Sequence, residues 1–295
     1  MIKKVASFAK INLFLYIESK RTDGYHNLYS LMTQIDMCDD LYLDFGKNEL
    51  SISCDHPDVP EDESNLAYKA AVLFFQSLKL KTREEDTGLS IKIIKRIPPG
   101  GGLGGGSSNA AAVLMALNAH YKSPFSTTEL MALGLKLGTD VPFFIFGFPA
   151  IVSGVGERLE KVTGLKSYHL VLCDPGVAAS TARVYKNIDY RLTENQKYNK
   201  YVGLNESLRG QAFDVREHMH NDLEESACRL YPEIKEAKET MAVLLQRKVY
   251  MTGSGAVLFA LFSARENAEL GFERLVKNWT RGRQKIFLSS FNSYV

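Results

Sequence analysis

The residues best suited to chemistry form a glycine-rich segment, PPGGGLGGGSSNAAAVLMAL, which runs from Pro98 to Leu117. Six of its residues are glycines, which favour neither a strand nor the interior of a helix. The strand-like stretch GLSIKIIKRI precedes it and the helix-like stretch SSNAAAVLMALNAH completes it. In such a strand–loop–helix unit, backbone N–H groups converge on an anion, and glycine leaves room for the anion to approach. The segment therefore predicts a phosphate-binding loop, with Ser107, Ser108 and Asn109 as candidate helix N-caps.

Other interpretations of the glycine segment fit less well. Flexible linkers have polar, repetitive surroundings, whereas both flanks here are apolar. A P-loop requires a lysine immediately before Ser107, and none is present. The dinucleotide fingerprint matches Gly100, Gly102 and Gly105 in one register, but it needs a second strand that ends in an acid about twenty residues later. Residues 111–137 instead predict a helix, a turn and a second helix.

Two charged residues beside apolar segments are candidates for catalysis. Asp140 precedes the apolar run VPFFIF, where it either caps a short helix or acts as a general acid–base group. Lys10 interrupts the apolar strand FAKINLFL. Its ammonium group either reaches solvent from a strand edge or meets an anion, because burial without compensation is costly.

The elements that must position these residues can be predicted from periodicity and capping. VASFAKINLFLYI predicts a strand, and LYLDF followed by LSISC predicts a hairpin pair. ESNLAYKAAVLFFQSLK predicts an amphipathic helix with Ser64 or Asn65 as its cap. STTELMALGLKLG predicts a helix with Ser126 and Glu129 in capping-box spacing, and it should end at Gly138.

The second half of the chain predicts a compact α+β domain. SYHLVLCDP, VYMTGSGAVLFALF and QKIFLSSF favour strands, while ESACRLYPEIKEAKETMAVLLQ and NAELGFERLVKNW favour helices. A change in character after GVGERLEKV places the boundary between two domains near residue 155. We therefore expect an N-terminal domain over residues 1–155 and a C-terminal domain over residues 156–295.

Composition limits the classes of partner. The 295 residues carry a net charge of +2 and no dense basic tract, which argues against a nucleic-acid partner. No apolar run approaches the length of a membrane span, and the first residues alternate like a strand and unlike a signal peptide. Four cysteines lie far apart, at Cys38, Cys54, Cys173 and Cys228. This spacing predicts reduced thiols in a cytoplasmic protein, with neither a disulfide framework nor a zinc site.

The glycine segment resembles the nucleotide loop of the GHMP small-molecule kinases, a superfamily that includes galactokinase, homoserine kinase and mevalonate kinase. Matching segments follow in the expected order: AKINLFL, RTDGYHNL, SNLAYKAA, LGTDVPFF, STARVYKN, NDLE and MTGSGAVLFA. They extend from Ala9 to Ala260, and the likeness is weakest over residues 185–220 and at the C-terminus. The two extra glycines before the paired serines and the DGYH segment resemble the branch that acts in non-mevalonate isoprenoid precursor biosynthesis.

The resemblance implies an α+β, two-domain fold. An N-terminal α/β domain would contain the glycine loop, a C-terminal domain would be ferredoxin-like, and the active site would lie in the cleft. The implied reaction transfers the γ-phosphoryl group of ATP to a hydroxyl group of a cytidyl diphosphate sugar alcohol, with Mg²⁺. The partners would be these small molecules, without nucleic acid or membrane, and the sequence predicts neither the metal ligands nor the oligomeric state.

The resemblance also implies the roles of individual residues. Asp140 would accept the proton of the acceptor hydroxyl, and Lys10 would stabilise charge on the reacting oxygens. The nucleotide would be bound by the loop, namely Pro99, Gly100, Gly101, Gly102, Leu103, Gly104, Gly105, Gly106, Ser107, Ser108 and Asn109. Asn65 and Lys95 would lie near adenine and ribose, although Asn65 could simply cap a helix and Lys95 could be a solvated strand residue.

The acceptor would be bound by Asn12, Tyr25, His26, Thr181 and Tyr185. Tyr25 and Tyr185 would stack on the two faces of cytosine, and His26 would read its polar edge. DGYH could instead form only a turn on whose surface Tyr25 and His26 pack. The segment TGSGA would be a second glycine turn near the substrate's phosphates.

Two other functions remain open. Another GHMP kinase, of the mevalonate or homoserine type, would lack DGYH, so Tyr25 and His26 argue against it. A nucleotide-binding regulator on the same fold could lose Asp140 or Lys10, yet both are present. A dinucleotide oxidoreductase is a more distant alternative, which a test for bound cofactor would decide.

Overall fold

A computed structural model describes residues 2–82, 88–188, 209–279 and 282–292. Its elements in chain order are β1 (Ile2–Lys20), β2 (His26–Asp44), β3 (Leu50–Cys54), α1 (Leu66–Thr82), β4 (Leu89–Ile94), α2 (Gly105–His120), α3 (Thr127–Leu135), α4 (Val141–Phe146), β5 (Ala150–Gly154), β6 (Arg158–Lys161), β7 (Thr163–Leu165), β8 (His169–Asp174), α5 (Thr181–Lys186), β9 (Arg209–Phe213), a 3₁₀ turn (Val215–Glu217), β10 (His220–Asn221), α6 (Glu224–Leu230), α7 (Pro232–Leu245), β11 (Tyr250–Met251), β12 (Leu258–Phe262), α8 (Arg265–Trp279) and β13 (Lys285–Ser290).

The chain forms two compact units. The first consists of Met1–Ala9, Met37–Pro99 and Gly104–Phe148, and the second of Lys10–Asp36, Gly100–Leu103 and Pro149–Val295. The chain changes unit for the last time between Phe148 and Pro149, close to the predicted boundary, but the segments 10–36 and 100–103 group with the later residues. Among the described residues, no helix has both the length and the apolar composition that crossing a membrane requires.

In the first unit, β4 is the strand that organises the sheet. It pairs antiparallel with the end of β2, with Tyr42 opposite Lys92, and parallel with β3, with Ile52 opposite Ile91. The predicted hairpin between LYLDF and LSISC is therefore wrong, because β4 lies between these strands. Leu89, Ile91 and Ile93 are buried, which suits a central strand, whereas β3 alternates between half-buried and exposed residues, as an edge strand does.

The helices of the first unit agree with the sequence pattern, except for the residue at which α2 begins. Asn65 caps α1, since its Oδ1 accepts the Ala67 N–H at 2.9 Å, and the capping box of α3 is present. That helix ends at Leu135, slightly before the expected Gly138. The predicted caps of α2 are wrong, because the N-cap is Gly104 and the two serines and Asn109 lie inside the helix. A glycine at φ 70° ends the loop earlier than the hydroxyl side chains suggested.

The second unit contains the ferredoxin-like part of the chain. Its four-stranded sheet has the order β11-β12-β8-β13, and α7 and α8 contribute Ile234, Met241 and Leu275 to the buried core. The single helix predicted from ESACRLYPEIKEAKETMAVLLQ is two helices, because Pro232 has no N–H and begins α7. The predicted strand VYMTGSGAVLFALF is likewise β11 and β12 joined by a glycine turn.

Two long strands also contribute to the second unit. The middle of β1 pairs parallel with β10, with Phe14 opposite His220 and Leu15 opposite Asn221. The first residues of β2 pair antiparallel with β5, with Ser30 opposite Val152. These pairings fix the part of β1 that carries Lys10 and Asn12.

Candidate active site

The first half of the glycine loop is held against a second glycine turn. Gly100 and Gly102 have φ values of 71° and 79°, which only glycine adopts without strain. A Cβ on Gly102 would lie 2.5 Å from the carbonyl oxygen of Thr252, so no side chain fits there. The Val257 N–H donates to the Gly101 carbonyl at 3.1 Å. The loop is therefore fixed by its backbone, which leaves little freedom for rearrangement.

The second half of the loop opens α2. Gly104 is its left-handed N-cap, and no acidic side chain lies in the first turn. Within the described residues, no side chain caps this end of the helix. The first N–H groups and the positive end of the helix dipole are thus suited to an anion. Phosphate binding by the glycine loop remains a prediction, and the start of α2 is compatible with it.

A buried ion pair lies beside the first turn of α2. The Lys95 Nζ lies 2.5 Å from Asp39 Oδ2, and both side chains are almost completely inaccessible. The Asp39 carboxylate also accepts the N–H groups of Arg96 and Ile97 at 2.8 and 2.9 Å, and the Asn109 amide at 3.0 Å. A Cβ on Gly105 would lie 2.8 Å from Lys95 Nζ, so the ammonium group lies beside the first turn of α2. The alternative of a solvated Lys95 is wrong.

Asp39 is a functional candidate that the sequence reasoning missed. Its carboxylate is fully buried and satisfied by donors on two segments of the chain, residues 95–97 and Asn109, which offsets its desolvation. The available signal was the adjacent pair Asp39-Asp40 directly before the strand-like stretch LYLDF. The ion pair with Lys95 joins β2 to the segment after β4, and the Asn109 amide joins the same carboxylate to the start of α2.

The two serines of the loop differ in their surroundings. Ser108 is buried and its Oγ accepts the Ser7 hydroxyl at 2.7 Å, while Ser7 Oγ also accepts the Asn109 amide at 2.9 Å. Ser107 is half-buried on the first turn, and its Oγ lies 3.7 Å from where a Cβ on Gly138 would be. Ser107 is therefore close to the segment that leads to Asp140.

Asp140 lies at the start of α4 but does not act as a capping side chain. It occupies the N-cap position with φ −85° and ψ −15°, and its carboxylate makes no capping hydrogen bond. The side chain is half-buried. Gly134 allows α3 and α4 to pack closely here, since its Cβ would lie 2.8 Å from Val141. The capping interpretation of Asp140 is thus not what the structure shows.

Lys10 is buried at 4% exposure, so the alternative in which it reaches solvent is wrong. Its Nζ donates to Asn12 Oδ1 at 2.7 Å. The Asn12 amide donates to Ser30 Oγ at 2.8 Å, and the Asn12 backbone N–H donates to Thr252 Oγ1 at 3.0 Å. The structure therefore brings Lys10 and Asn12 together and joins them to the second glycine turn.

Two of the predicted base-binding residues are in ring contact. The His26 and Tyr185 rings are 5.1 Å apart and inclined by 38°. Burial, and secondarily the charge of Lys20, lower the pKa of His26 below its ordinary value. A neutral imidazole offers one donor and one acceptor, which suits the recognition of a base edge. Tyr25 lies in the turn before His26 and is 59% exposed, so its face is accessible.

Thr181 is the remaining predicted acceptor residue. It begins α5, and its Oγ1 lies 2.7 Å from Ser254 Oγ in the second glycine turn. Sequence reasoning singled out that turn but not Ser254 itself. The turn thus contacts Thr181, Asn12 and the first half of the glycine loop.

Comparison with known proteins places the chain in a family. Models of the GHMP kinase N-terminal domain and of the GHMP kinase C-terminal domain match residues 65–148 and 206–281. The chain belongs to the GHMP kinases. Proteins from Syntrophotalea carbinolica and Citrifermentans bemidjiense, each named 4-diphosphocytidyl-2-C-methyl-D-erythritol kinase, are 39% and 37% identical to it, over 90% and 91% of this chain and 92% of each relative. Within the GHMP kinases, the chain belongs to the 4-diphosphocytidyl-2-C-methyl-D-erythritol kinases.

A solved structure agrees with this assignment. A crystal structure of 4-(cytidine 5'-diphospho)-2C-methyl-D-erythritol kinase matches with a TM-score of 0.76 and 33% identity, covering 99% of this chain and 100% of that one. The predicted two-domain GHMP kinase fold is confirmed. The chain is a kinase, and ATP is its phosphoryl donor.

Proposed function

We propose that the chain transfers the γ-phosphoryl group of ATP to the 2-hydroxyl of 4-diphosphocytidyl-2-C-methyl-D-erythritol. The reaction belongs to non-mevalonate isoprenoid precursor biosynthesis. The observation that carries the choice of acceptor is the ring contact between His26 and Tyr185, which lie far apart in the sequence. An aromatic face beside a neutral imidazole suits a nucleobase, whereas mevalonate and homoserine have no base to occupy it.

The nucleotide is held mainly by backbone groups. The N–H groups of the glycine loop and of the first turn of α2 bind the triphosphate, with Lys95 beside that turn. Asn65 and Lys95 contribute to the adenine and ribose site, each in addition to the structural contacts described above. Asn65 already accepts Ala67 N–H and donates to the Pro60 carbonyl, so it can contribute only its remaining hydrogen-bonding capacity.

Mg²⁺ would accompany the nucleotide phosphates and neutralise charge that develops on them. Among the described residues, no group of three His, Cys, Asp or Glu side chains could hold a metal ion alone. A site that shares the ion with substrate phosphates is therefore the one that fits. Ser107 is the better hydroxyl for it, because Ser108 is buried and already bonded to Ser7.

The chemistry needs a base and a cation at the acceptor hydroxyl. Asp140 accepts the hydroxyl proton while the hydroxyl oxygen attacks the γ-phosphorus and the bond to ADP breaks. Asp140 is half-buried at the start of α4, two residues after Gly138, and a Cβ on Gly138 would lie 3.7 Å from Ser107 Oγ, which supports this role. Lys10, held by Asn12, stabilises negative charge on the reacting oxygens.

Acceptor recognition uses residues of the second unit. Tyr25 and Tyr185 stack on cytosine and His26 bonds its polar edge, while Asn12 and Thr181 contact the diphosphate and sugar alcohol. We further propose the domain boundary near residue 155 and a reducing, cytoplasmic environment. The four described cysteines, all unpaired with one another, support that environment.

Acceptor specificity tests this proposal. ADP release is measured with ATP, Mg²⁺ and either the cytidyl acceptor, its uridyl analogue, mevalonate or homoserine. We expect kcat/KM for the cytidyl acceptor to exceed that for the uridyl analogue by at least about a hundredfold, because unpaired groups in a base site cost several kcal/mol. Equal kcat/KM values for the two bases, or turnover of mevalonate or homoserine alone, would contradict the proposal.

A further inference from the structure

The glycine turn Thr252–Gly255 contacts three parts of the predicted site: Asn12, Gly102 and Thr181. Thr252 accepts the backbone N–H of Asn12, and its carbonyl lies against Gly102. Ser254 is in hydrogen-bond contact with Thr181. The position of this one turn therefore affects the phosphate loop, the residue that holds Lys10 and a predicted acceptor contact.

Asn221 holds this turn in place with its side-chain amide. Its Nδ2 donates to the carbonyls of Met251 at 2.9 Å and Gly253 at 2.8 Å. Its Oδ1 accepts the Leu223 N–H at 2.9 Å. Both hydrogens and the oxygen of the amide are thus used; one bond ends on the turn, at Gly253, and another on Met251, immediately before it.

The backbone of Asn221 is itself fixed to β1. Asn221 lies opposite Leu15 in the parallel pairing of β10 with β1, the strand that carries Lys10 and Asn12. The side chain therefore links the turn to that strand by a short path. Asn221 belongs to the NDLE segment, to which the sequence reasoning assigned no role.

We propose that Asn221 is a positioning residue for phosphoryl transfer, a role that rests on the proposed function. It sets the glycine turn against Gly101 and Gly102 on one side and against Asn12 and Thr181 on the other. In this role it acts through the turn, because its side-chain amide bonds backbone groups of Met251, Gly253 and Leu223. An amide is required because two neighbouring carbonyls need two donors from one side chain.

Two substitutions and a matched control test the role. Asn221→Asp keeps the shape, removes both donors and sets a negative charge against two carbonyl oxygens. Asn221→Leu removes the donors without adding charge. Asn278→Asp is the control, since the Asn278 amide also donates to a backbone carbonyl, that of Arg274, on an exposed helix away from the turn.

Calorimetry with ATP distinguishes a positioning role from a purely structural one. The stoichiometry gives the fraction of protein that is folded, and Kd gives the affinity of the folded protein for ATP. Both Asn221 variants should bind ATP with a stoichiometry near that of the unsubstituted protein and a Kd raised about tenfold, as expected for one or two lost hydrogen bonds. KM for the acceptor should rise as well, and for Asn278→Asp both Kd and KM should stay within about twofold of the unsubstituted values.

Normal Kd values with reduced stoichiometry would show that Asn221 is merely structural. Unchanged binding and kinetics would also overturn the proposal. If the unsubstituted protein binds ATP but fails to phosphorylate the cytidyl acceptor, the proposed function fails, while the ATP measurement still decides the role of Asn221.

Discussion

At the scale of the residue, the charged side chains proposed for the site have sharply different surroundings. Lys10 is buried and bonded to Asn12, whereas Asp140 is half-buried and makes no capping bond. Lys95 and Asp39 form a buried ion pair beside the phosphate loop. Only Asp140 and Lys10 are proposed to act on the reacting atoms, so substitutions there should affect turnover more than binding.

Asp140→Asn tests the proposed base. It preserves size and some hydrogen bonding but removes the charge and the proton acceptor, so kcat should fall by about 10²–10⁴. KM for ATP and for the acceptor should change little, because other residues hold cytosine and the triphosphate. Steady-state kinetics check this, with Asp174→Asn as the control, since the Asp174 carboxylate accepts a local turn N–H from Gly176. A fully active Asp140→Asn enzyme would contradict the proposed mechanism.

Lys10→Ala tests whether the two charged residues act as a unit. Alone it should reduce kcat to an extent comparable with Asp140→Asn, because it withdraws the cation from the reacting oxygens. The double variant should be much less than additively worse, as expected for residues that serve one step. Strictly additive losses in kcat would show that Lys10 and Asp140 act independently.

His26 should give acceptor binding a pH dependence. The pKa of His26 in the folded protein lies below the ordinary histidine value of about 6.5, so the ring is neutral at pH 7. KM for the acceptor should be constant from about pH 8 to 6.5 and rise at lower pH, as protonation removes the ring's acceptor. The folded protein binds this proton less readily than the unfolded chain, so stability also declines below about pH 6.5. His26→Ala should have a higher KM without this acidic rise, and an unchanged profile would exclude His26 from base recognition.

At the scale of the element, the decisive feature is a helix that begins with glycine. Gly104 is the N-cap of α2 in a left-handed conformation, and the following turn offers its N–H groups without an acidic residue beside them. The alanine-rich face of α2 is buried, which anchors the helix so that its first turn has a fixed position. Anion binding at this end follows from the helix start and needs no charged side chain.

Gly104→Val tests the backbone role of the loop. Valine at φ 70° is strained, so some stability is lost at Gly104 whatever the loop binds. Gly147→Val is the matched control, since Gly147 has φ 75° and a Cβ there would meet nothing closer than 3.9 Å. Both variants should melt at similarly lowered temperatures, but only Gly104→Val should weaken ATP binding in calorimetry. Equal ATP affinities for the two variants would favour a loop without a phosphate role.

Sequence patterns predicted those elements whose signals are local. The Ser126–Glu129 capping box and the Asn65 cap depend on neighbours a few residues away, and both are present. The position of β4 between β2 and β3 depends on long-range burial, which no local pattern contains. The predicted N-cap of α2 was wrong because a left-handed glycine, Gly104, occupies that position in place of a residue with a hydroxyl side chain.

The same distinction applies to the candidate site. The glycine loop, Lys10 and the DGYH segment stand out in the sequence because their residue types are unusual where they occur. Asp39 does not, since its partners Lys95 and Asn109 lie 56 and 70 residues away. Asn221 is likewise recognisable only once the carbonyls that it binds have been placed.

At the scale of the whole molecule, similarity covers almost the entire chain. The solved kinase structure covers 99% of it, and family models match a region in each half of the sequence. The likeness therefore extends over both halves of the chain and is not confined to one domain. Among the GHMP kinases, the proposed distinguishing feature of this chain is the group Tyr25, His26 and Tyr185, which suits a cytosine base.

The central claim is that phosphate passes from ATP to the 2-hydroxyl of the cytidyl acceptor. Phosphorus-31 NMR of the product, formed from ATP, Mg²⁺ and the acceptor, tests it most directly, with Asp140→Asn as the parallel sample. The predicted result is one new phosphomonoester resonance coupled to the 2-position, growing with ADP and reduced in rate by about 10²–10⁴ in the variant. Release of ADP with inorganic phosphate and no phosphomonoester, or transfer to a different hydroxyl, would contradict the account.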